Sequence, residues 1–90
     1  MTGGRRFYGN DMRLDKYLKV SRLIKRRTVA NEACDAGRVS VNGSVAKASA
    51  NIKPGDEIEI RFGNRTVRVR VRKVEETVKK EEAQELFEYL

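Results

Sequence analysis

The 90-residue chain has no histidine and a single cysteine, Cys34. Zinc clusters built from the usual Cys and His ligands are therefore excluded, as are Ser-His-Asp and Cys-His nucleophilic arrangements. One cysteine also rules out an intramolecular disulfide and suits a reducing compartment. The Gly-x-x-x-x-Gly-Lys-Ser/Thr loop that cradles nucleotide phosphates is missing. No apolar run approaches the roughly 18–20 residues needed to span a bilayer, and the start lacks the apolar core of a secretory signal. The carboxylates lie mainly in a charged strand and an acidic tail, which favours binding over acid–base catalysis. The expectation is a cytoplasmic, monomeric protein that is not an enzyme and has no cofactor, metal or membrane contact.

What is present is charge, unevenly placed. Lys and Arg number 20 against 13 Asp and Glu, a net +7. Residues 1–50 hold eleven basic and four acidic side chains (+7), whereas residues 51–90 hold nine of each (zero). All the net charge thus falls in the first half, and residues 75–90 reach −4, with six Glu against two Lys. Such asymmetry points to one face for an anionic partner.

Periodicity divides the chain into helices first and strands later. Residues 1–11 lack periodicity, contain three glycines and read as a flexible leader; Arg5, Arg6, Phe7 and Tyr8 there offer a loose RNA-stacking arm as the alternative. Leu14, Tyr17 and Leu18 recur at helical spacing, predicting a helix over 13–21. Leu23 and Ile24 then plug the core. A second helix is expected over 26–36, with Val29, Ala30, Ala33 and Cys34 inward and Gly37 as its left-handed stop. Cys34, on that inner stripe, reads as a core residue.

Valines around Asn42-Gly43 signal a hairpin, because both turn positions need positive φ. Pro54-Gly55 precedes an alternating strand, Glu57 to Phe62. Gly63-Asn64 turns the chain into Thr66 to Arg72, valines inward and arginines outward. Ala83, Leu86, Phe87 and Leu90 predict an amphipathic acidic helix that packs on the sheet or faces a protein. The fold class is α+β: a helix pair on a small, mainly antiparallel sheet, plus a C-terminal helix.

The densest basic cluster, Lys19, Arg22, Lys25, Arg26 and Arg27, brackets the junction of the two helices. Three adjacent cations at a helix start are locally unfavourable, because that end of the macrodipole is already positive. Phosphates placed there would meet arginines, free backbone N–H groups and the Thr28 hydroxyl. Arg13 and Lys16 add charge at the first helix. Asp15 either caps that helix or orients Arg13 or Arg27. The stripe Arg68/Arg70/Arg72 competes as a nucleic-acid surface, but pairing with 57–62 would set Glu57 and Glu59 beside it as a structural ladder.

With these residues in place, Arg13-Leu-Asp-Lys-Tyr-Leu18, Lys25-Arg-Arg-Thr28, Ala36-Gly-Arg-Val-Ser-Val-Asn-Gly43 and Pro54-Gly-Asp-Glu-Ile58 together resemble the S4 RNA-binding domain. Met12 to Thr28 and Lys79-Lys-Glu-Glu-Ala83 are most similar to the short bacterial stand-alone members of the RqcP (YabO) family. The resemblance implies a factor of ribosome-associated quality control on obstructed large subunits. Its implied partners are 23S rRNA, peptidyl-tRNA and the tailing factor RqcH, whose C-terminal alanine tailing of stalled chains it would support. By motif position, Arg13 and Arg27 would be the principal RNA contacts, with Asp15 ordering that corner. The implied division is a leader (1–11), an S4 domain with strand extension (12–74) and an acidic C-terminal helix (75–90). Alternatives are a ribosome-rescue protein of the heat-shock type and an RNA-guiding domain of a modifying enzyme. Engagement of about five phosphates would give a log K against log salt slope of roughly −3.5 to −4.5.

Overall fold

The structure, a computed structural model, describes residues 12–75 and 78–90; the expected leader lies outside them. A short strand β1 (Met12–Arg13) leads directly into helix α1 (Leu14–Val20). Leu14, Tyr17 and Leu18 are fully buried, as their spacing predicts. Helix α2 (Arg27–Asp35) packs against α1. Burial on α2 centres on Ala30 and Cys34, with Ala33 half-buried. Val29, expected inside, is 44% exposed. It sits at the flank of a narrow stripe whose small residues let the two helices approach closely.

Between the helices the chain turns at Ser21 and at Arg22, whose φ is +65°. Ile24 N–H donates to Leu18 C=O at 3.0 Å, and the Ile24 side chain enters the core beside half-buried Leu23. After Gly37 (φ +76°) come β2 (Val39–Val41) and β3 (Ser44–Val45). Their turn has φ +53° at Asn42 and +87° at Gly43, the left-handed pair that the Asn-Gly dipeptide predicts. Strand β4 (Asn51–Ile52) pairs antiparallel with β1, which fixes Met12 and Arg13 at the foot of α1.

Strands β5 (Glu57–Phe62) and β6 (Arg65–Val71) form the long hairpin of a five-stranded antiparallel sheet, ordered β3-β2-β5-β6-β7. Its inner face supplies Val39, Ile58, Ile60, Val69 and Val71 to the core shared with the helices. Asp56, mostly buried, accepts from the Asn42 amide (3.1 Å) and the Lys53 N–H (3.0 Å), tying the two turns together.

The C-terminal segment differs from the expected helix. Residues Lys80–Leu86 form a 3₁₀-helix, and Phe87–Tyr89 form strand β7 on the edge of β6. A period of three serves a 3₁₀-helix as well as an α-helix, so Ala83 and Leu86 are still buried. The unpaired backbone of β6 then decides the rest. Arg72 and Lys73 N–H donate to Leu86 C=O, and Leu90 N–H donates to Arg68 C=O at 2.9 Å, leaving the Leu90 side chain 54% exposed. The buried Tyr17 hydroxyl also donates to Leu86 C=O at 2.7 Å, bolting α1 to this segment. Burial pushes the Tyr17 phenol well above its ordinary value. The segment thus packs on the sheet edge. Among the described residues, no helix is long and apolar enough to cross a membrane.

Candidate nucleic-acid interface

Strand β1 delivers Arg13 and the first turn of α1 delivers Asp15, two residues later. The Asp15 side chain is 2% exposed, whereas those of Arg13 and Arg27 are 49% and 46% exposed. Arg13 grips the carboxylate side-on, Nε to Oδ1 at 3.2 Å and Nη2 to Oδ2 at 3.3 Å. Arg27, the first residue of α2, reaches Oδ2 through Nε at 3.3 Å. Asn31 Nδ2 donates to the same oxygen at 3.1 Å, and Lys16 N–H donates to Oδ1 at 2.8 Å. Burial alone would raise the Asp15 pKa, but these hydrogen bonds and the Arg27 charge outweigh it and hold the carboxyl below its ordinary value.

One buried anion therefore fixes two half-exposed guanidinium groups from different elements. Arginine carries five N–H donors, and Arg27 meets Asp15 through its Nε while its side chain stays 46% exposed. A partly exposed guanidinium held in place suits the capture of a phosphate. Asp15 fills both roles open to it: it takes up the first-turn N–H of Lys16 and it orients both arginines.

The surroundings suit an anion. Helix α2 has no acidic residue in its first turn, and its N-cap residue Arg26 makes no side-chain cap bond. Its first N–H groups thus join the cations at the positive end of the dipole. A shallow concavity is lined by Arg13, Asp15, Arg27 and Thr28, together with Asn31 and Glu32. Lys19 on α1 and Arg22, Lys25 and Arg26 along the 21–26 connection are exposed and are not part of the concavity's lining. Lys16 is half-buried beside Asp15. Asn31 was not among the expected residues; its position four after Arg27 puts it on the same helix face, but nothing local places it beside Asp15.

Cys34 is buried as expected, and burial, with the Asp15 and Asp35 charges, pushes its thiol up to about 11. It stays protonated and unreactive at neutral pH. The arginine stripe is only partly a ladder. Arg70 is held by Glu57 at 3.2 Å and Glu88 at 3.1 Å. Arg68 faces Glu59 in register, but neither it nor Arg72 makes an ion pair among the described residues.

The S4 domain family model matches residues 12–58, from β1 into β5. The RQC P-site tRNA stabilizing factor of Bacillus subtilis is 58% identical over 79 residues, 88% of this chain and 92% of that protein. The chain belongs to this family of S4 domain proteins. Its Halalkalibacterium halodurans member is 62% identical over 77 residues, covering 86% of this chain and 88% of that protein. Heat shock protein 15 of Vibrio cholerae, solved as a trimer, superposes with a TM-score of 0.82 at 31% identity, covering 89% of this chain and 82% of that one. The family segment contains the whole helix junction, including Asp15, Arg13 and Arg27; strands β6 and β7 lie beyond it.

Proposed function

We propose that this protein is a non-catalytic, monomeric RNA-binding factor of ribosome-associated quality control. It binds 23S rRNA and peptidyl-tRNA on obstructed large ribosomal subunits in the cytoplasm. There it supports C-terminal alanine tailing of stalled chains by RqcH. Arg13, Lys16, Lys19, Arg22, Lys25, Arg26, Arg27 and Thr28 form the RNA-facing surface, and Asp15 organises it. The observation that carries this reading is the buried Asp15 carboxylate holding the half-exposed side chains of Arg13 and Arg27. Structured RNA is recognised largely through shape, phosphates and 2′-hydroxyls, and a rigid arginine pair beside a helix N-terminus suits those groups.

The test is co-sedimentation with large subunits carrying peptidyl-tRNA. Arg27→Ala is expected to abolish it while the circular dichroism spectrum stays that of the folded protein. Unchanged binding by Arg27→Ala, with loss by Arg68→Ala, would assign the function to the sheet instead. The likeness to heat shock protein 15 favours one second reading, a rescue factor that grips ribosomal RNA without supporting tailing. Persistence of alanine tails on stalled chains in a deletion strain would select it.

A further inference from the structure

The outer face of the sheet holds a second arrangement of arginines. The β2–β5 register pairs Val39 with Ile60. Continued by one residue, it brings Arg38 opposite Arg61, and Arg61 N–H donates to Arg38 C=O at 2.9 Å. Like charges directly opposite one another in a sheet are destabilising. Both side chains are exposed, and neither makes an ion pair among the described residues. Arg61 instead leans on a neutral group, Nη2 lying 3.5 Å from Gly37 C=O, and the pair lines a concavity with Ala36 and Gly63. Arg68 lies one step further along the same outer face and is also without an ion pair. The nearby acidic residues do not cancel this charge: Glu57 is engaged by Arg70, leaving Glu59.

We infer that the Arg38–Arg61 face is a second RNA contact, in which one phosphodiester backbone segment lies across the two facing guanidinium groups. The inference rests on the proposed RNA-binding function and adds a surface to it. The cross-strand repulsion is relieved when a phosphate sits between the two cations, and each planar guanidinium can meet it bidentately. RNA is the fitting occupant because the proposed function already brings this chain onto structured RNA, whose backbone supplies a phosphate at every nucleotide. The inner face of this sheet packs on the helices, so the second contact and the α1–α2 junction lie on different sides of the domain. One chain can therefore hold two RNA segments together.

The test uses the full chain, with Arg38→Gln/Arg61→Gln beside Arg27→Ala. Binding is measured against salt on purified large subunits bearing peptidyl-tRNA, and on protein-free 23S rRNA. The double variant is expected to unfold no earlier than the parent, since a repulsion is removed. Its log K against log salt slope should shrink by roughly two, about one per arginine, on the subunits and on the free RNA that the face contacts. An unchanged slope and affinity while Arg27→Ala loses binding would overturn the second contact and leave the proposed function standing. Weaker binding to subunits with unaltered binding both to protein-free 23S rRNA and, as a third probe, to free tRNA would also overturn it, by assigning the face to a ribosomal protein. If Arg27→Ala binds normally and the double variant does not, the second contact stands and the junction assignment falls.

Discussion

At the helix junction, Arg13 and Arg27 share one carboxylate that is 2% exposed; on the sheet, Arg70 lies between Glu57 and Glu88, which are 43% and 45% exposed. In the first arrangement the anion is hidden and the cations face outward, so the surface stays positive while its geometry is fixed. In the second, each charge meets its opposite at the surface, and little net field or orientation survives. Arginines are plentiful in both regions; what separates them is where the counter-charge sits. Exposed pairs are screened and contribute little, whereas a desolvated acceptor holds its partners in one geometry.

The largest test of that contrast removes the hidden anion. Asp15→Asn leaves the buried position polar but uncharged, and it sets an amide against the donors of Arg13, Arg27 and Asn31. The expected cost is about 1–3 kcal/mol, from buried groups left poorly paired, read as a lower midpoint in urea unfolding. Association with peptidyl-tRNA-bearing subunits should weaken even though the net charge rises by one. Tighter binding would show that Asp15 merely neutralises the site. Acid should mimic the substitution. The Asp15 pKa is lower in the folded state than in the unfolded chain, so its stabilisation is complete above the ordinary carboxylate pKa. It is lost as pH falls through the folded value. The stability gap between wild type and Asp15→Asn should therefore close on acidification, as paired unfolding curves at neutral and acidic pH would reveal.

A smaller effect is expected at Arg22. A left-handed φ of +65° is unusual for a side chain with a Cβ, and glycine adopts it without strain. Arg22→Gly should raise stability by up to about 1 kcal/mol in thermal unfolding. At the same time the salt slope for subunit binding should fall by roughly one. A protein that is more stable and binds less well would show that this cation is kept for its partner. Unchanged binding would take Arg22 out of the interface and leave the junction to Arg13, Arg27 and their neighbours.

Much of this was readable from residue order. Leu14, Tyr17 and Leu18 face one core because helical spacing admits no other placement, and Asn42-Gly43 predicts its turn because few dipeptides tolerate positive φ twice. The basic junction stood out because adjacent cations at a helix start cost stability. Three features were hidden. Asn31 joins the Asp15 cluster through a contact sixteen residues away, which local spacing alone does not show. The strand over Phe87–Tyr89 forms because β6 needs a neighbour, and a period of three cannot tell a 3₁₀-helix followed by a strand from an α-helix. The opposition of Arg38 and Arg61 appears only once β2 and β5 are in register, since each is an ordinary charged residue in its own segment.

The smallest effect should come from the most conspicuous arginine. Arg70 alternates with valines like a nucleic-acid-reading residue, yet Glu57 and Glu88 flank it at 3.2 and 3.1 Å and hold its guanidinium protonated. Both hydrogen bonds are at the surface, where water replaces them readily. Arg70→Ala should leave the unfolding midpoint unmoved and subunit association intact, while exposing two carboxylates that previously had a partner. Those charges lie on the same outer face as Arg61, so a modest weakening of binding at low salt that vanishes at high salt would be a field effect on the second contact. Loss of binding that persists in high salt would mean that Arg70 touches RNA directly, and the distinction between the two regions would collapse.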